Sequence, residues 1–403
     1  MKSEVRRKPV PASTFRTRQA RERFMGAHAR EIYDALTAER TKFVRVDQLC
    51  RRAAQTFPGL VPGPGELGRE AALPLSRKRG LEIDQGIFLS QILADPLAGT
   101  HLCHAMLLPR ADSADRLREL DRKSEIELPG ARLERRGRAS VVTMRNPRFL
   151  NAEDETTLEG FETAVDLALL DPKTEVCVLR GGPVEHPRYA GRRLFGAGIN
   201  LTHLYQGKIR FVWYLLRDLG VVNKLYRGLA KPDASPEQDS IEKLWIAAVE
   251  GFAIGGHCQL LLTMDQVIAA EDAFMTLPAR KEGIIPGAAN LRLARHLGDR
   301  LARQAVLAEK RLECASPEGR LICDQVVPPA EMDAAIEKMV GLLTGSGVVS
   351  AASNRRAFRI AEEPLDAFRR YMSVYAREQA HCHFSPALVS NLEKNWDAAS
   401  RAG

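Results

Sequence analysis

The chain has 403 residues with 45% hydrophobic and 27% charged side chains, a globular composition whose length suits two or three domains rather than one compact core. Its seven cysteines, scattered with no Cys-x-x-Cys pair, argue against a disulfide framework, and neither an apolar leader nor a run of about 18 apolar residues is present, so a soluble, cytoplasmic protein without a membrane span is expected. The formal charge is +8, with 12 Lys/Arg against 6 Asp/Glu in the first fifty residues, but no RNP-like motif, zinc finger or basic heptad region accompanies it, which favours a solvated basic face or a polyanionic small ligand over nucleic acid.

Residues 1–125 read as a helical N-terminal domain. In "AREIYDALTAERTKFVRVDQLCRRAAQTF" the positions Ile32, Leu36, Phe43, Val46 and Leu49 fall near one stripe. "PGLVPGPGELGRE" interrupts the periodicity, and "GLEIDQGIFLSQILADPLAGTHLCHAMLLP" resumes it. The texture changes over residues 126–330. "ARLERRGRASVVTMRNP" holds two short strands around Gly137, "EVCVLRGG" ends a buried strand, and "LWIAAVEGFAIGG" reads as another. Between them "AEDETTLEGFETAVDLALLDP" places Leu158, Phe161, Val165 and Leu169 on one helical face. Strands alternating with helices predict an α/β core. Residues 331–403 turn helical again: Leu365, Phe368, Met372, Tyr375 and Gln379 step by three and four, a stripe suited to docking on the core or on a neighbouring subunit.

Four stretches of the middle region form a series: "RNPRFLNAEDE", "GRRLFGAGINLTHL", "GFAIGGHCQLLLTMD" and "FMTLPARKEGIIPGAANLRLAR". In this order and spacing, over about residues 130–330, they resemble the crotonase (enoyl-CoA hydratase/isomerase) superfamily. The resemblance implies a crotonase-like ββα spiral core, flanked here by helical extensions. The glycines have a physical reason. An enzyme that forms an enolate from an acyl thioester must place two N–H donors about 3 Å from the thioester oxygen, each worth on the order of 3 kcal/mol in the transition state. The resemblance assigns that oxyanion hole to the amides of Ile199 and Gly256. It sets Ala197, Gly198, Asn200, Ile254 and Gly255 around the bound thioester. Gly255-Gly256 stands at the N-terminus of a helix expected over residues 258–264, where the dipole favours an anion.

The departures are as informative as the matches. Where the hydratases carry two catalytic glutamates, this chain has Gln259 and Ala279, and losing a positioned acid or base costs typically 10²- to 10⁴-fold. A poor hydratase is therefore expected. Glu282, three residues beyond Ala279, reads as structural. "RRLFGAGINL", the GFAIGG turn followed by QLLL, and "KEGIIPGAANLRLAR" are similar to a narrower branch, the arylacetyl-CoA 1,2-dioxygenases of glycopeptide-antibiotic pathways. That branch implies oxidation of 3,5-dihydroxyphenylacetyl-CoA by O₂, with neither metal nor organic cofactor, to 3,5-dihydroxyphenylglyoxylate and coenzyme A. An enolate held in an oxyanion hole can itself reduce O₂, so no second carboxylate is required.

By the same resemblance Gln259, Arg217 and Glu153 share the substrate pocket, and a neutral amide suits a phenol. Arg148, His186, Arg188 and Tyr189 fall in loops expected along the coenzyme A channel, where Arg is apt for a pyrophosphate. The superfamily implies a homo-oligomer, a trimer or a hexamer. Two other readings stay open: a hydratase, isomerase or thioesterase of this fold, and an RNA-binding homologue. His101, Cys103 and His104, like His381, Cys382 and His383, lack metal-ligand spacing with a matched second pair, so no metal is expected. Cys258 reads as a small packing residue, and His257 has no assigned role.

Overall fold

The computed structural model describes residues 12–401; the first eleven residues of the basic arm lie outside the described residues. Seven strands form the central sheet, in the order Glu125–Leu128, Ala131–Arg136, Ala139–Met144, Val176–Gly181, Leu244–Val249, Gln266–Ala270 and Gln325–Val327. The first three pair antiparallel and the rest parallel. Ala139–Met144 and Val176–Gly181 are buried at every position, as continuous apolar runs in a parallel sheet require.

The run "LWIAAVEGFAIGG" is two strands rather than the expected one. The chain leaves the central sheet after Val249, turns at Glu250-Gly251, and enters a three-stranded sheet as Phe252–Ile254, beside Phe274–Thr276 and Leu312–Glu313. Gly251 has φ +69°, a left-handed turn that an uninterrupted strand cannot contain. This break carries the functional loops out of the main sheet.

The N-terminal third folds as Arg18–Leu36, Val46–Thr56, Pro64–Ala71, Ile83–Ala94, Pro96–Leu107 and Ser113–Lys123. Its expected single stripe is interrupted, because Ala38, Glu39 and Arg40 adopt positive φ and end the first helix. Phe43 lies in this link and stacks on His101 with ring centroids 4.8 Å apart. "PGLVPGPGELGRE" contains a helix of its own, Pro64–Ala71, with proline in the first turn, where its missing N–H is no loss. Asp95 separates the next two helices and caps the second, accepting from the amides of Leu97 and Ala98.

The C-terminal helix Leu365–His383 packs along Ile83–Ala94 and buries the expected Leu365, Phe368, Met372, Tyr375 and Gln379. One hydrophobic core therefore runs from Phe15 to Ala398 through all three segments. Buried ion clusters tie the segments further: Arg45 and Lys224 on Glu162, Arg355 and Arg359 on Glu242, Arg227 and Arg292 on Glu363. Among the described residues no helix is long and apolar enough to cross a membrane.

Candidate active site

Two loops meet at the short helix Gly256–Leu261. On one side, the loop carrying Gly196 is zipped to strand Phe252–Ile254: Gly196 N–H donates to Phe252 O and Ile254 N–H to Gly196 O, each at 3.0 Å. On the other, Glu153 N–H donates to Gly198 O (2.7 Å) and Asn200 N–H to Glu153 O (2.8 Å). The Ile199 N–H shares a trans peptide with the Gly198 O, which accepts from Glu153, so it points the opposite way, away from Glu153. The Gly256 N–H is the first of its helix and has no intrahelical partner. Neither amide meets a protein acceptor among the described residues. The loops are in contact: a Cβ on Gly198 would lie 3.3 Å from Gly256 N.

His257 holds this geometry from behind. Its Nδ1 accepts the Gly198 N–H at 2.9 Å, which leaves the ring proton on Nε2. The ring is fully buried, and burial lowers its pKa to about 4, so it is neutral at pH 7.

Beneath the turn lies a buried polar hub. The helix Phe211–Leu216 widens into a π-helical turn over Arg217–Val222, which brings consecutive residues Arg217 and Asp218 to the same group. Arg217 Nε donates to both oxygens of Glu153 (3.0 Å each), Nη2 to Glu153 (2.7 Å) and to Gly256 O (2.9 Å), and Nη1 to Asp218 (3.2 Å) and Gln259 Oε1. Gln259 Nε2 donates to Asp218 at 2.8 Å. Burial raises the Asp218 pKa against the lowering effect of Arg217, and Tyr375 hydrogen bonds the same carboxyl. A Cβ at 256 would lie 2.9 Å from Arg217 Nη2 and 3.1 Å from Glu153 Oε2, so any side chain there would push on the Arg217–Glu153 pair.

A cavity of about 30 Å³ opens between hub and turn, lined by Glu153, Ile199, Arg217, Gly255, Gly256 and Gln259, and closed by Trp213, Tyr214, Ala279, Glu282, residues 284–287 and Tyr375. It has room for a water or two. A benzene-sized guest needs roughly 150 Å³, so an aryl substrate must displace part of this wall.

Of the residues named from sequence, Ile199, Gly256, Gln259, Arg217, Glu153 and Gly255 thus share one cavity. Ala197 and Ile254 stand at its edge, half-buried, in a small apolar cluster with Tyr189 and Phe252. Gly198 contacts the turn through its backbone. Asn200 does not face the cavity: its Nδ2 donates to Asp154 (2.8 Å) and its Oδ1 caps the helix Leu201–Tyr205 at His203 N (3.2 Å). An N-cap role replaces the substrate contact expected there, because both polar groups are spent within the loop. Arg148, Arg188 and Tyr189 lie outside the cavity, on the turns Pro147–Phe149 and Pro187–Tyr189, which bury none of their residues, and His186 caps the second turn. Arg188 sits 5.4 Å above the Tyr189 ring.

Other residues enter the site to which the sequence reading gave no role there. Asp218 is adjacent to Arg217, and only the π turn makes neighbours converge. Tyr375 belongs to the apolar stripe of the C-terminal helix, where its hydroxyl gives no signal. Glu282, expected to be structural, is buried at 5% exposure and lines the cavity without any hydrogen bond or ion pair among the described residues. Burial, with Glu309 nearby, raises its pKa to about 8. The two His/Cys clusters are engaged elsewhere: His101 Nδ1 bonds the Tyr33 hydroxyl (2.8 Å), His104 bonds Lys231 O (2.8 Å), and His383 meets Tyr214 (3.2 Å). Cys258 is buried and packs in the main core.

Comparison with known proteins agrees with this geometry. The enoyl-CoA hydratase/isomerase family model matches residues 134–367. A (3,5-dihydroxyphenyl)acetyl-CoA 1,2-dioxygenase of Amycolatopsis orientalis is 49% identical over 380 residues, covering 94% of this chain and 87% of the relative. A short-chain-enoyl-CoA hydratase of Clostridium acetobutylicum is 26% identical over 58% of this chain and 82% of its own. In shape, an enoyl-CoA hydratase/isomerase from Xanthobacter autotrophicus Py2 superposes with a TM-score of 0.55 at 20% identity, over 68% of this chain and 98% of that one. An enoyl-CoA hydratase from Mycobacterium avium subsp. paratuberculosis K-10 does so at 0.54 and 22%, over 66% and 94%. The glycine turns, their unpaired amides and these matches together establish that the chain belongs to the enoyl-CoA hydratase/isomerase family.

Proposed function

We propose that this protein is a cofactor-independent arylacetyl-CoA dioxygenase: it converts 3,5-dihydroxyphenylacetyl-CoA and O₂ to 3,5-dihydroxyphenylglyoxylate and coenzyme A. The observation that carries this reading is the 49% identity to the Amycolatopsis dioxygenase along 94% of the chain, helical flanks included, whereas the hydratase match stops at 58%. The site supports it. At the two hydratase acid positions stand Gln259, whose amide is held by Arg217 and Asp218, and Ala279, a methyl in the cavity wall. Neither transfers a proton, yet both oxyanion amides are free.

The thioester oxygen sits between the amides of Ile199 and Gly256, where the helix dipole adds to the stabilisation of the enolate. The enolate carbon reduces O₂, the resulting peroxide attacks the thioester carbonyl, and coenzyme A leaves. In this reading Arg217 is a positioning residue, since its guanidinium is engaged by Glu153, Asp218, Gln259 and Gly256 O; it fixes the hub against which the aryl ring packs. Gln259 reaches a ring hydroxyl only with what its amide has left, one N–H and one lone pair. The coenzyme runs outward past Ala197 and Ile254 toward the half-buried Tyr189 and His186 and toward Arg188 and Arg148, whose exposure suits a diphosphate at the surface. A homo-oligomer is part of the proposal, supported by Leu342 and Phe358, 71% and 65% exposed on neighbouring helices; a monomer mass by light scattering removes it.

The test is an oxygen electrode with chelator-treated protein and 3,5-dihydroxyphenylacetyl-CoA, with thiol release followed in parallel. One O₂ consumed per thiol released is expected. Thiol release without O₂ uptake leaves a thioesterase, and neither, the hydratase class.

A further inference from the structure

Glu282 is the one carboxyl of the cavity wall without a partner among the described residues. Glu153 is held by Arg217 through three hydrogen bonds, and Asp218 by Arg217, Gln259 and Tyr375. The phenols of Tyr214 and Tyr375 are pushed above their ordinary range by burial and stay protonated. His257 has its Nδ1 committed to Gly198 and lies behind the turn. Glu282, in contrast, is 5% exposed, closes the cavity that holds the Ile199 and Gly256 amides, and accepts from nothing. A carboxyl left without a donor in a closed site is costly to keep charged, and such groups cluster where they do chemistry.

The surroundings keep the carboxyl basic. Burial is the main cause, and Glu309 adds to it, although Glu309 is itself ion-paired with Arg280 (3.0 Å) and Lys281 (2.9 Å). Across the cavity Arg217 is neutralised by Glu153 and Asp218. The helix Pro386–Trp396, packed on the turn Ala279–Glu282, offers that turn the neutral Asn391 and Asn395. No free cation faces Glu282 among the described residues, so it titrates near pH 8, where a general base is strong and still available.

We propose that Glu282 is the general base that removes the α-proton of the arylacetyl thioester, a role that rests on the arylacetyl-CoA reading of the chain. The carboxylate takes the Cα proton, and the C–H electron pair spreads onto the thioester oxygen under the Ile199 and Gly256 amides. O₂ accepts the electrons as the Cα–O bond forms. The peroxide closes on the thioester carbon, and the C–S bond breaks. Glu282, now neutral, protonates the departing thiolate. Ionised again, it takes the second Cα hydrogen as the O–O bond breaks, which leaves the α-keto acid anion, and it releases that proton to water.

The experiment is ¹H NMR of the α-hydrogens of 3,5-dihydroxyphenylacetyl-CoA in D₂O without O₂, beside O₂ uptake in air. Wild-type protein exchanges the α-hydrogens. Glu282→Gln slows both readouts by about 10²- to 10⁴-fold with thioester Kd within a few-fold of wild type, and Glu282→Asp recovers part of the exchange. Exchange by Glu282→Gln within threefold of wild type overturns the assignment, as does a slow variant that no longer binds thioester. Should Glu282→Gln not fold, wild-type exchange must rise with pH through a single group near 8; a flat profile from about pH 6 to 9 overturns the assignment. Wild-type exchange without O₂ uptake removes the dioxygenase reading and leaves the base standing. O₂ uptake with undiminished exchange by the glutamine variant does the reverse.

Discussion

His257 and Gln259 flank Cys258 on one turn of helix, and their different surroundings give them different work. Gln259 stands where a catalytic acid would be in a hydratase, but its amide is clamped between a guanidinium and a carboxyl. A glutamate at that position would put a third carboxylate around one arginine in a dry site, which the Coulomb balance does not support. His257 is spent on a backbone amide. His257→Ala would leave the Gly198 N–H buried and unpaired, at a cost of about 2 kcal/mol. It would also loosen the loop that aims Ile199, lowering kcat by roughly tenfold to hundredfold. Urea unfolding together with O₂-uptake kinetics checks both; unchanged kcat in a destabilised protein would show that the loop is held by other means.

Among the elements, the break at Glu250-Gly251 and the π turn at Arg217–Val222 do most to build the site. The first moves Phe252–Gly256 into the small sheet facing the 195–199 loop, and the second doubles the charged groups one helix can offer. The C-terminal helix Leu365–His383 also takes part, since Tyr375 hydrogen bonds Asp218 while Tyr371 donates to Gly287 O. This couples a packing helix to the hub. Tyr375→Phe keeps the apolar contact and deletes one bond to Asp218, so a loss of about 1–2 kcal/mol is expected, with a fall in kcat larger than any change in KM. Denaturant titration and steady-state kinetics measure the two effects, and a change confined to KM would place Tyr375 at binding rather than at the hub.

At the scale of the whole molecule, ion clusters bind the N-terminal helices, the core and the C-terminal helices into one unit. Glu242 and Glu363 are held at about 2 by their arginines, which offset the opposing effect of burial. In the unfolded chain these groups take up protons near 4.5, so their stabilisation is present above that pH and is lost as pH falls toward 2. His257 and His383, depressed by burial to about 4 and 3, act in the same direction below their ordinary 6.5. The raised Glu282 and Asp218 carboxyls oppose part of this loss, so urea midpoints should fall as pH drops from 6 to 3 by less than the lowered groups alone would give, with tryptophan fluorescence and circular dichroism tracing one transition across the shared core. Separate transitions would show that the helical flanks unfold alone. Much of this was legible in the chain: the glycine turns, because tight turns and close backbone approach leave glycine little alternative; the strands around Gly137 and the stripe through Phe368 and Tyr375, because burial imposes a local period. The rest depends on partners distant in sequence. Whether Arg217 meets Asp218 and Gln259, whether Asn200 faces a ligand or caps a helix, and whether Glu282 has a counter-ion follow from what the folded chain sets around each side chain. A carboxyl's chemistry is fixed by its donors and its burial, and only tertiary structure supplies either.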